Sequence, residues 1–201
     1  MFPKKINSNF DQYGFPKKSK EKPKEIIGYA LGKSELGMVL VATCELGILA
    51  VLRGKTKSDL IEDLKTLFPK DQAVKNAFDA KNALAEVIQF IDNPGSRLKY
   101  PVFLQGTAFQ KKVWQAVQEV PFGKTATYKE IAEKIKAPRA MRAVGSSCTR
   151  SKFFMVVPCH RIVRNDYVLP SEADRKKALS RRDTLLMREI KYFQQNVATV
   201  K

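Results

Sequence analysis

The residues of this chain best suited to chemistry lie in one short segment, "VVPCHRIV", from Val156 to Val163. The segment contains the only histidine of the 201 residues, His160, directly after Cys159, one of three cysteines. A thiol is a useful nucleophile only as the thiolate, which requires a neighbouring base or positive charge. His160, Arg161 and Arg164 are candidates to supply both. The pattern therefore predicts a reactive cysteine.

The same segment also has a purely structural interpretation. It belongs to the apolar run "FFMVVPCHRIV", which is typical of a core strand, and a free buried cysteine usually behaves as a small hydrophobe. Adjacent strand residues point to opposite faces, so the spacing does not predict a direct thiol–imidazole contact. Pro158, however, interrupts a strand ladder, and polar groups inside an apolar run are costly unless paired. These features together predict a backbone bend that presents Cys159.

The composition is that of a folded, soluble protein with one large or two small domains. Hydrophobic residues make up 44% of the chain and charged residues 28%, enough for a proper core. No apolar run approaches the roughly 20 residues of a membrane span, and the N-terminus lacks a signal-type apolar core, so a cytoplasmic location and no membrane partner are expected. Three scattered cysteines and one histidine argue against a disulfide framework and a metal site. We expect neither a metal nor a cofactor.

The distribution of charge indicates an anionic partner. Lys and Arg outnumber Asp and Glu by 37 to 20, and residues 121–201 alone carry 18 basic and 7 acidic side chains. Such a cationic segment suits DNA or RNA. A membrane surface is less favoured, because the basic residues are spread over several predicted elements. The remaining alternative is a basic protein without a nucleic-acid partner.

The first part of the chain predicts a tail and a small α+β domain. Residues 1–25, rich in Lys, Pro, Asn and Ser, predict a disordered basic tail. Residues 26–104 form the predicted N-terminal domain, which begins with an antiparallel meander of the segments "IIGYALGKS", "GMVLVATCE" and "GILAVLRG". Helices are predicted at "KSDLIEDLKTLF" and over about Gln72–Ile91, and a further strand at "LKYPVFLQG".

Residues 105–201 predict a helical domain that contains a helix-turn-helix. Thr127 and Glu130 form a capping box at the start of a helix over about Tyr128–Ile135. A short connection, "KAPR", leads to a second helix, "AMRAVGSSCTR". The preceding helix, "TAFQKKVWQAVQEV", has an apolar stripe that is predicted to be buried: Val113, Trp114, Val117 and Val120.

The second helix of this pair has a composition suited to DNA contact. Small side chains allow a helix backbone to approach a groove closely, and arginines supply phosphate contacts. The arginines are Arg139, Arg142 and Arg150, and the small residues are Ala140, Ala143, Gly145, Ser146 and Ser147. The alternative is a pair of core-packing helices on a basic surface.

"PCHRIV" resembles the active-site motif of the O6-alkylguanine-DNA alkyltransferases. "GTAFQKKVWQAVQEVPFGKTATYKEIAEKI", "RAVGSSC" and "DTLLMRE" are similar to the C-terminal domain of that family. "YALGKSELGMVLVATCELGILAVLRG" is similar to the N-terminal domain of bacterial members, so the resemblance spans about Ile26 to Glu189. It implies a two-domain α/β protein: a small, ribonuclease-H-like α+β domain and a helical domain with a winged-helix-like helix-turn-helix.

The resemblance also implies an activity. Members of the family bind duplex DNA in the minor groove, flip the damaged guanine out of the helix, and transfer its alkyl group to a cysteine. The S-alkyl cysteine is not regenerated, so each molecule acts once in DNA repair. The implied partner is double-stranded DNA containing O6-alkylguanine, bound by a monomer.

Particular residues match the family's functional positions. Cys159 is the implied acceptor, His160 polarises it through a water molecule, and Glu189 orients the histidine. Arg142 takes the place of the extruded base, and Tyr128 turns the nucleotide's phosphate and hydrogen-bonds the flipped guanine. Further residues are expected to contact or steady the DNA: Lys124, Thr127, Ala140, Ala143, Gly145 and Arg161.

Two departures from the family pattern keep alternatives open. Ser151 stands where members have an asparagine in the thiol–histidine network, and the loop over 164–183 lacks glycine, with Tyr167 as a candidate for the family's loop tyrosine. One alternative is a sensor that binds alkylated DNA without transfer, although such proteins lack the acceptor cysteine that Cys159 provides here. Another is a cysteine hydrolase that uses Cys159 and His160, although no glycine-rich oxyanion motif accompanies these two residues.

Overall fold

The computed structural model describes residues 26–69, 71–93, 95–170 and 180–197. The predicted tail, residues 1–25, lies outside this part of the chain. So do residues 171–179 of the glycine-free loop over 164–183. The chain divides into two compact units. The first comprises the described residues up to Gln105 together with 152–154, and the second comprises residues 106–151 and those from 155 onward.

The first unit is built on a four-stranded sheet. The predicted meander is confirmed as β1 (Ile26–Ser34), β2 (Gly37–Cys44) and β3 (Gly47–Gly54), paired antiparallel through two-residue turns. A fourth strand, β4 (Gln72–Lys75), pairs parallel with β1, so the sheet order is β3-β2-β1-β4. Val39, Leu40, Val41 and Ala42 of β2 are all fully buried, and because successive strand residues point to opposite faces, the sheet is covered on both faces at this strand.

One predicted helix of this unit is confirmed and the other begins later than predicted. Helix α1 (Lys57–Leu67) begins at Thr56, whose side chain accepts a hydrogen bond from Asp59 N. The helix predicted from Gln72 is wrong in its first turns, because Gln72–Lys75 is strand β4 and α2 spans Ala80–Asp92. Three residues between them have left-handed backbone, Asn76 (φ 61°), Phe78 (φ 49°) and Asp79 (φ 55°), which a right-handed helix cannot include.

The strand predicted at "LKYPVFLQG" is also wrong, because this segment does not form a regular strand. Only Val102 forms a bridge, parallel to Ile48, with Ile48 N donating to Pro101 O at 2.8 Å and Phe103 N donating to Ile48 O at 2.8 Å. Pro101 has no N–H to extend this pairing toward the N-terminus. The segment is nevertheless buried at Val102, Phe103 and Leu104, which is why its composition resembles that of a strand.

The second unit contains the predicted helix-turn-helix. Helix α3 (Ala108–Gln118) and the residues after it bury the predicted stripe of Val113, Trp114, Val117 and Val120. Helix α4 (Tyr128–Lys134) begins at the predicted Thr127–Glu130 capping box, and α5 (Met141–Thr149) follows a turn that includes Lys136 at φ 59°. Trp114 Nε1 donates to Ser147 O at 2.9 Å and so ties α3 to α5.

The remaining elements of the second unit hold the Cys-His segment. Two short parallel strands, β5 (Ala126–Thr127) and β6 (Ile162–Val163), join the start of α4 to the residues just after that segment. Helix α6 (Arg181–Val197) follows the undescribed part of the loop. Among the described residues, no helix is long and apolar enough to cross a membrane.

Candidate active site

A tight bend separates the environments of Cys159 and His160. The apolar run is buried but is not one strand, because Met155 has left-handed backbone (φ 62°) and Cys159–Arg161 form a single 3-10 turn. Cys159 N donates to Val157 O at 2.7 Å and Arg161 N donates to Pro158 O at 2.9 Å. The thiol-bearing residue is partly exposed, whereas His160 is only 9% exposed. The core-strand interpretation is therefore wrong, and the predicted bend is observed.

The Cys159 thiol lies among polar side chains from two other segments. It hydrogen-bonds Cys148 near the end of α5 and Ser151, the residue predicted in its network. Hydrogen bonding to Cys148, burial and the Cys148 charge all raise the pKa of Cys159, whereas Ser151 and the Arg182 guanidinium act in the lowering direction. Cys148 has a lowered pKa because Cys159 hydrogen-bonds it, with Arg182 adding to this effect against burial. The two thiols therefore titrate as a pair whose first proton is lost more easily than the second.

His160 is held by a buried carboxylate. Its Nε2 lies 2.7 Å from Glu189 Oε1, and Glu189 is 1% exposed. Burial acts to raise the pKa of Glu189, but hydrogen bonds from His160 and Arg161 outweigh it and lower that pKa to about 2. The ionised carboxylate accepts the Nε2 proton, which leaves Nδ1 of a neutral imidazole as a proton acceptor. The structure thus brings together the histidine and glutamate that the resemblance paired.

Arg161 lies inside this network and not on the exposed surface where a DNA contact was expected. Its Nε donates to Glu189 Oε2 at 2.9 Å, its Nη2 to Oε1 at 3.0 Å and its Nη1 to Val120 O at 2.8 Å. The guanidinium lies 5.4 Å from the Phe122 ring centroid, and the side chain is 12% exposed. Arg161 therefore holds Glu189. Arg164, the other arginine considered beside the thiol, forms an exposed pair with Asp166 at 3.0 Å.

The predicted DNA-contacting residues occupy the helix-turn-helix and the turn before it. Arg142, Ala143 and Lys124 are exposed, while Ala140 is half-buried. Thr127 is half-buried and accepts from Glu130 N at 3.1 Å as the helix cap, so its side chain also holds α4. Gly145 faces Tyr128, since a Cβ built on it would lie 3.7 Å from the ring.

Two residues near the thiol were not found by sequence reasoning. Cys148 and Arg182 reach Cys159 from separate helices, and no spacing rule joins them to the "PCHRIV" motif. Arg182 Nη2 also donates to Tyr128 Oη at 3.0 Å. Tyr167, the candidate loop tyrosine, donates its hydroxyl to Asp183 Oδ1 at 2.6 Å. Burial, this hydrogen bond and the Asp183 charge raise the pKa of Tyr167, against the effect of the Arg182 guanidinium.

Comparison with known proteins matches this arrangement to one family. Residues 108–191 match the family described as "6-O-methylguanine DNA methyltransferase, DNA binding domain". The chain is 38% identical over 163 residues to the bifunctional transcriptional activator/DNA repair enzyme Ada of Escherichia coli, covering 81% of this chain and 45% of Ada. It is 33% identical over 140 residues to the methylated-DNA–protein-cysteine methyltransferase of Methanosarcina barkeri, covering 69% of this chain and 83% of that protein.

Solved structures show the same fold. A variant of Mycobacterium tuberculosis OGT has a TM-score of 0.57 at 26% identity, covering 82% of this chain and 93% of that chain. The same protein in complex with DNA has a TM-score of 0.58 at 23% identity, covering 82% and 94%.

The fold and the site together define the class of protein: a mixed α/β protein with a cysteine–histidine segment beside a helix-turn-helix. The chain belongs to the methylated-DNA–protein-cysteine methyltransferase family, the family its motifs resemble. It spans less than half the length of Ada and 83% of the Methanosarcina relative.

Proposed function

We propose that this chain is a DNA repair protein that transfers the alkyl group of O6-alkylguanine irreversibly to Cys159. The observation that carries the proposal is the partly exposed Cys159, placed on a tight turn directly before the buried His160–Glu189 pair, in a chain of this family. The arrangement contains the elements of a base-activated nucleophile: a thiol and, one residue along the chain, a histidine that a carboxylate orients.

The proposed step balances without a cofactor. Sγ of Cys159 forms a bond to the alkyl carbon, the bond from that carbon to O6 breaks, and its electron pair remains on the guanine. The thiol proton leaves by way of the polar groups around Cys159 and ends on the base, which becomes ordinary guanine. The thioether product has no leaving group comparable to O6 of guanine, so the protein acts once.

The proposed partner is a duplex with its damaged base flipped out. We assign Arg142 to the gap left by that base and Tyr128 to the flipped nucleotide, with α5 lying in the minor groove. The exposure of Arg142, Ala143 and Lys124 and the excess of basic residues over 121–201 support this assignment. Unstacking one base costs a few kcal/mol, which phosphate contacts made by this basic surface would offset.

The proposal also covers the fold of each unit, the oligomeric state and the location of the protein. We extend it to a ribonuclease-H-like first unit and a winged-helix-like second unit, which membership of the family supports. We also propose a monomer that acts in the cytoplasm with access to the nucleoid, because one chain contains the thiol, the histidine network and the helix-turn-helix.

The test is the intact mass of the protein after brief incubation with a duplex oligonucleotide carrying one O6-methylguanine, followed by peptide mapping. We expect one methyl group on the peptide that contains Cys159. An unmodified duplex should add no mass, Cys159→Ser should gain none, and Cys44→Ala, a thiol removed from the first unit, should still gain one. Binding without any mass gain would replace this proposal with the sensor of alkylated DNA.

A further inference from the structure

Arg182 connects the helix-turn-helix to the thiol site. It lies in the first turn of α6, and its Nη2 donates to the hydroxyl of Tyr128, the first residue of α4, at 3.0 Å. The side chain is half-buried, whereas its neighbour Arg181 is exposed. The contact spans 54 residues of sequence, so it is a product of the tertiary fold.

The same guanidinium also supplies positive charge to the thiols. It acts on both Cys159 and Cys148 and favours the ionised form of each. An arginine remains charged at all relevant pH values. A half-buried thiol pair would otherwise resist ionisation, because removing a thiolate from water is costly.

We propose that Arg182 is a positioning residue for alkyl transfer, one that holds the Tyr128 hydroxyl and places a fixed positive charge beside the Cys148–Cys159 thiol pair. The assignment rests on the proposed function of Cys159. It deepens that function by naming what supports the nucleophile in addition to the His160–Glu189 pair.

The hydrogen bond sets the direction in which Tyr128 can act. Because its oxygen accepts from Arg182, its own proton remains available for donation to an acceptor atom of the flipped base. A donated hydrogen bond favours departure of the guanine, which takes up negative charge as the carbon–O6 bond breaks. Arg182 thus orients the Tyr128 hydroxyl, which donates to the leaving group, and also favours ionisation of the thiol pair.

Other charged groups act on the same titration and stay constant in the test. Cys148 faces Cys159 from α5 and Arg182 faces it from α6, while His160, Arg161 and Glu189 form the network of the turn itself. Asp183 follows Arg182 and is held by Tyr167 and Ser180. Substituting Arg182 changes one of these charges and leaves the others in place.

The experiment compares Arg182→Gln, Arg182→Lys and the matched control Arg181→Gln, which removes one charge from the same helical turn. One readout is the pH profile of the initial rate at which iodoacetamide labels the Cys159 peptide, without DNA. The other is the single-turnover rate of methyl transfer at saturating duplex carrying O6-methylguanine, and thermal unfolding checks that each variant is folded.

We expect Arg182→Gln to reduce labelling at pH 7 by roughly threefold and to move its profile to higher pH, since loss of a positive charge disfavours the thiolate and Arg182 is one of two groups that act to lower the pKa of Cys159. Transfer should slow by at least the same factor. Arg182→Lys should restore the labelling profile because the charge returns, and Arg181→Gln should match the wild type in both readouts. Tyr128→Phe should slow transfer while keeping the wild-type labelling profile.

Labelling and transfer by Arg182→Gln that equal those of Arg181→Gln would overturn the assignment. If Arg182→Gln does not fold, Arg182→Lys and Tyr128→Phe decide: the assignment fails if the lysine variant shifts the labelling profile or the phenylalanine variant transfers at the wild-type rate. Wild-type protein that gains no methyl group would overturn the proposed function itself, a result visible before any variant is compared.

Discussion

Glu189 is a carboxylate with almost no exposure to solvent, and three groups of the second unit converge on it. His160, Arg161 and the backbone N–H of Gly123 all donate to it, the last at 3.2 Å. The first two hold its pKa at about 2 against the effect of burial. A carboxyl group with a lowered pKa contributes stability that is complete above its unfolded value, roughly 4.3, and is lost as pH falls toward the folded value.

At this residue scale, Glu189→Gln is expected to lower the free energy of unfolding at pH 7 by about 3 kcal/mol, because it leaves the Arg161 guanidinium buried without a countercharge. Urea denaturation measures this change. The control is Glu133→Gln, which removes an exposed carboxylate 3.9 Å from Lys129 and should cost less than about 0.5 kcal/mol.

The wild type and Glu189→Gln also test how stability depends on pH. Between about pH 5 and pH 2 the wild type should lose stability more steeply than Glu189→Gln, because the wild type alone must protonate this carboxylate. Equal slopes, or equal losses for the two variants at pH 7, would contradict the role given to the network.

Among the elements, α5 carries the surface assigned to DNA. Its buried side is fixed by Val144 and by Ser147, whose carbonyl accepts from Trp114. Its other side presents Arg142 and Ala143 to solvent. An exposed alanine contributes little to packing, so its small size matters only if another molecule must come close.

Ala143→Gln is therefore expected to leave stability within about 0.5 kcal/mol of the wild type, since surface substitutions rarely do more. It should weaken binding to duplex DNA by roughly tenfold, because the longer side chain keeps the α5 backbone from the groove. Fluorescence anisotropy with a labelled duplex provides the measurement. The matched control is Ala85→Gln, at an exposed position of helix α2 in the first unit. Unchanged affinity for Ala143→Gln would remove α5 from the interface.

At the scale of the whole molecule, charge is the dominant property. The formal net charge is +17 at pH 7, and more of the excess lies in residues 121–201 than before them. Binding to DNA by such a protein releases counterions, so affinity falls with added salt in proportion to the number of phosphates contacted.

We expect the logarithm of the affinity for duplex DNA to fall linearly with the logarithm of salt concentration. Lys124→Gln should reduce that slope by about 1, as the loss of one phosphate contact requires. Lys81→Gln, which removes an exposed charge from α2 in the first unit, should leave the slope unchanged. A salt titration by fluorescence anisotropy compares all three proteins, and a flat response of the wild type would count against phosphate-dominated binding.

Local signals in the sequence predicted most of the elements and the candidate nucleophile, Cys159. The meander, the stripe of α3 and the Thr127–Glu130 cap depend on interactions between neighbours in the chain, and each is observed. The motif around Cys159 identified the family in the same way. The helix predicted from Gln72 was wrong in its first turns, because left-handed residues separate strand β4 from helix α2. The strand predicted around Val102 was wrong because the segment is buried without forming a regular strand.

Only the tertiary structure decided which side chains surround the thiol. Cys148 and Arg182 meet Cys159 from α5 and α6, and Arg161 turns inward to Glu189 although arginine is usually a surface residue. Composition and period carry no information about such contacts, because they depend on how distant segments pack. The candidate acceptor could therefore be predicted from sequence, whereas the charges that act on it become visible only in the fold, where α5 and α6, more than 30 residues apart in the chain, each supply a side chain to its surroundings.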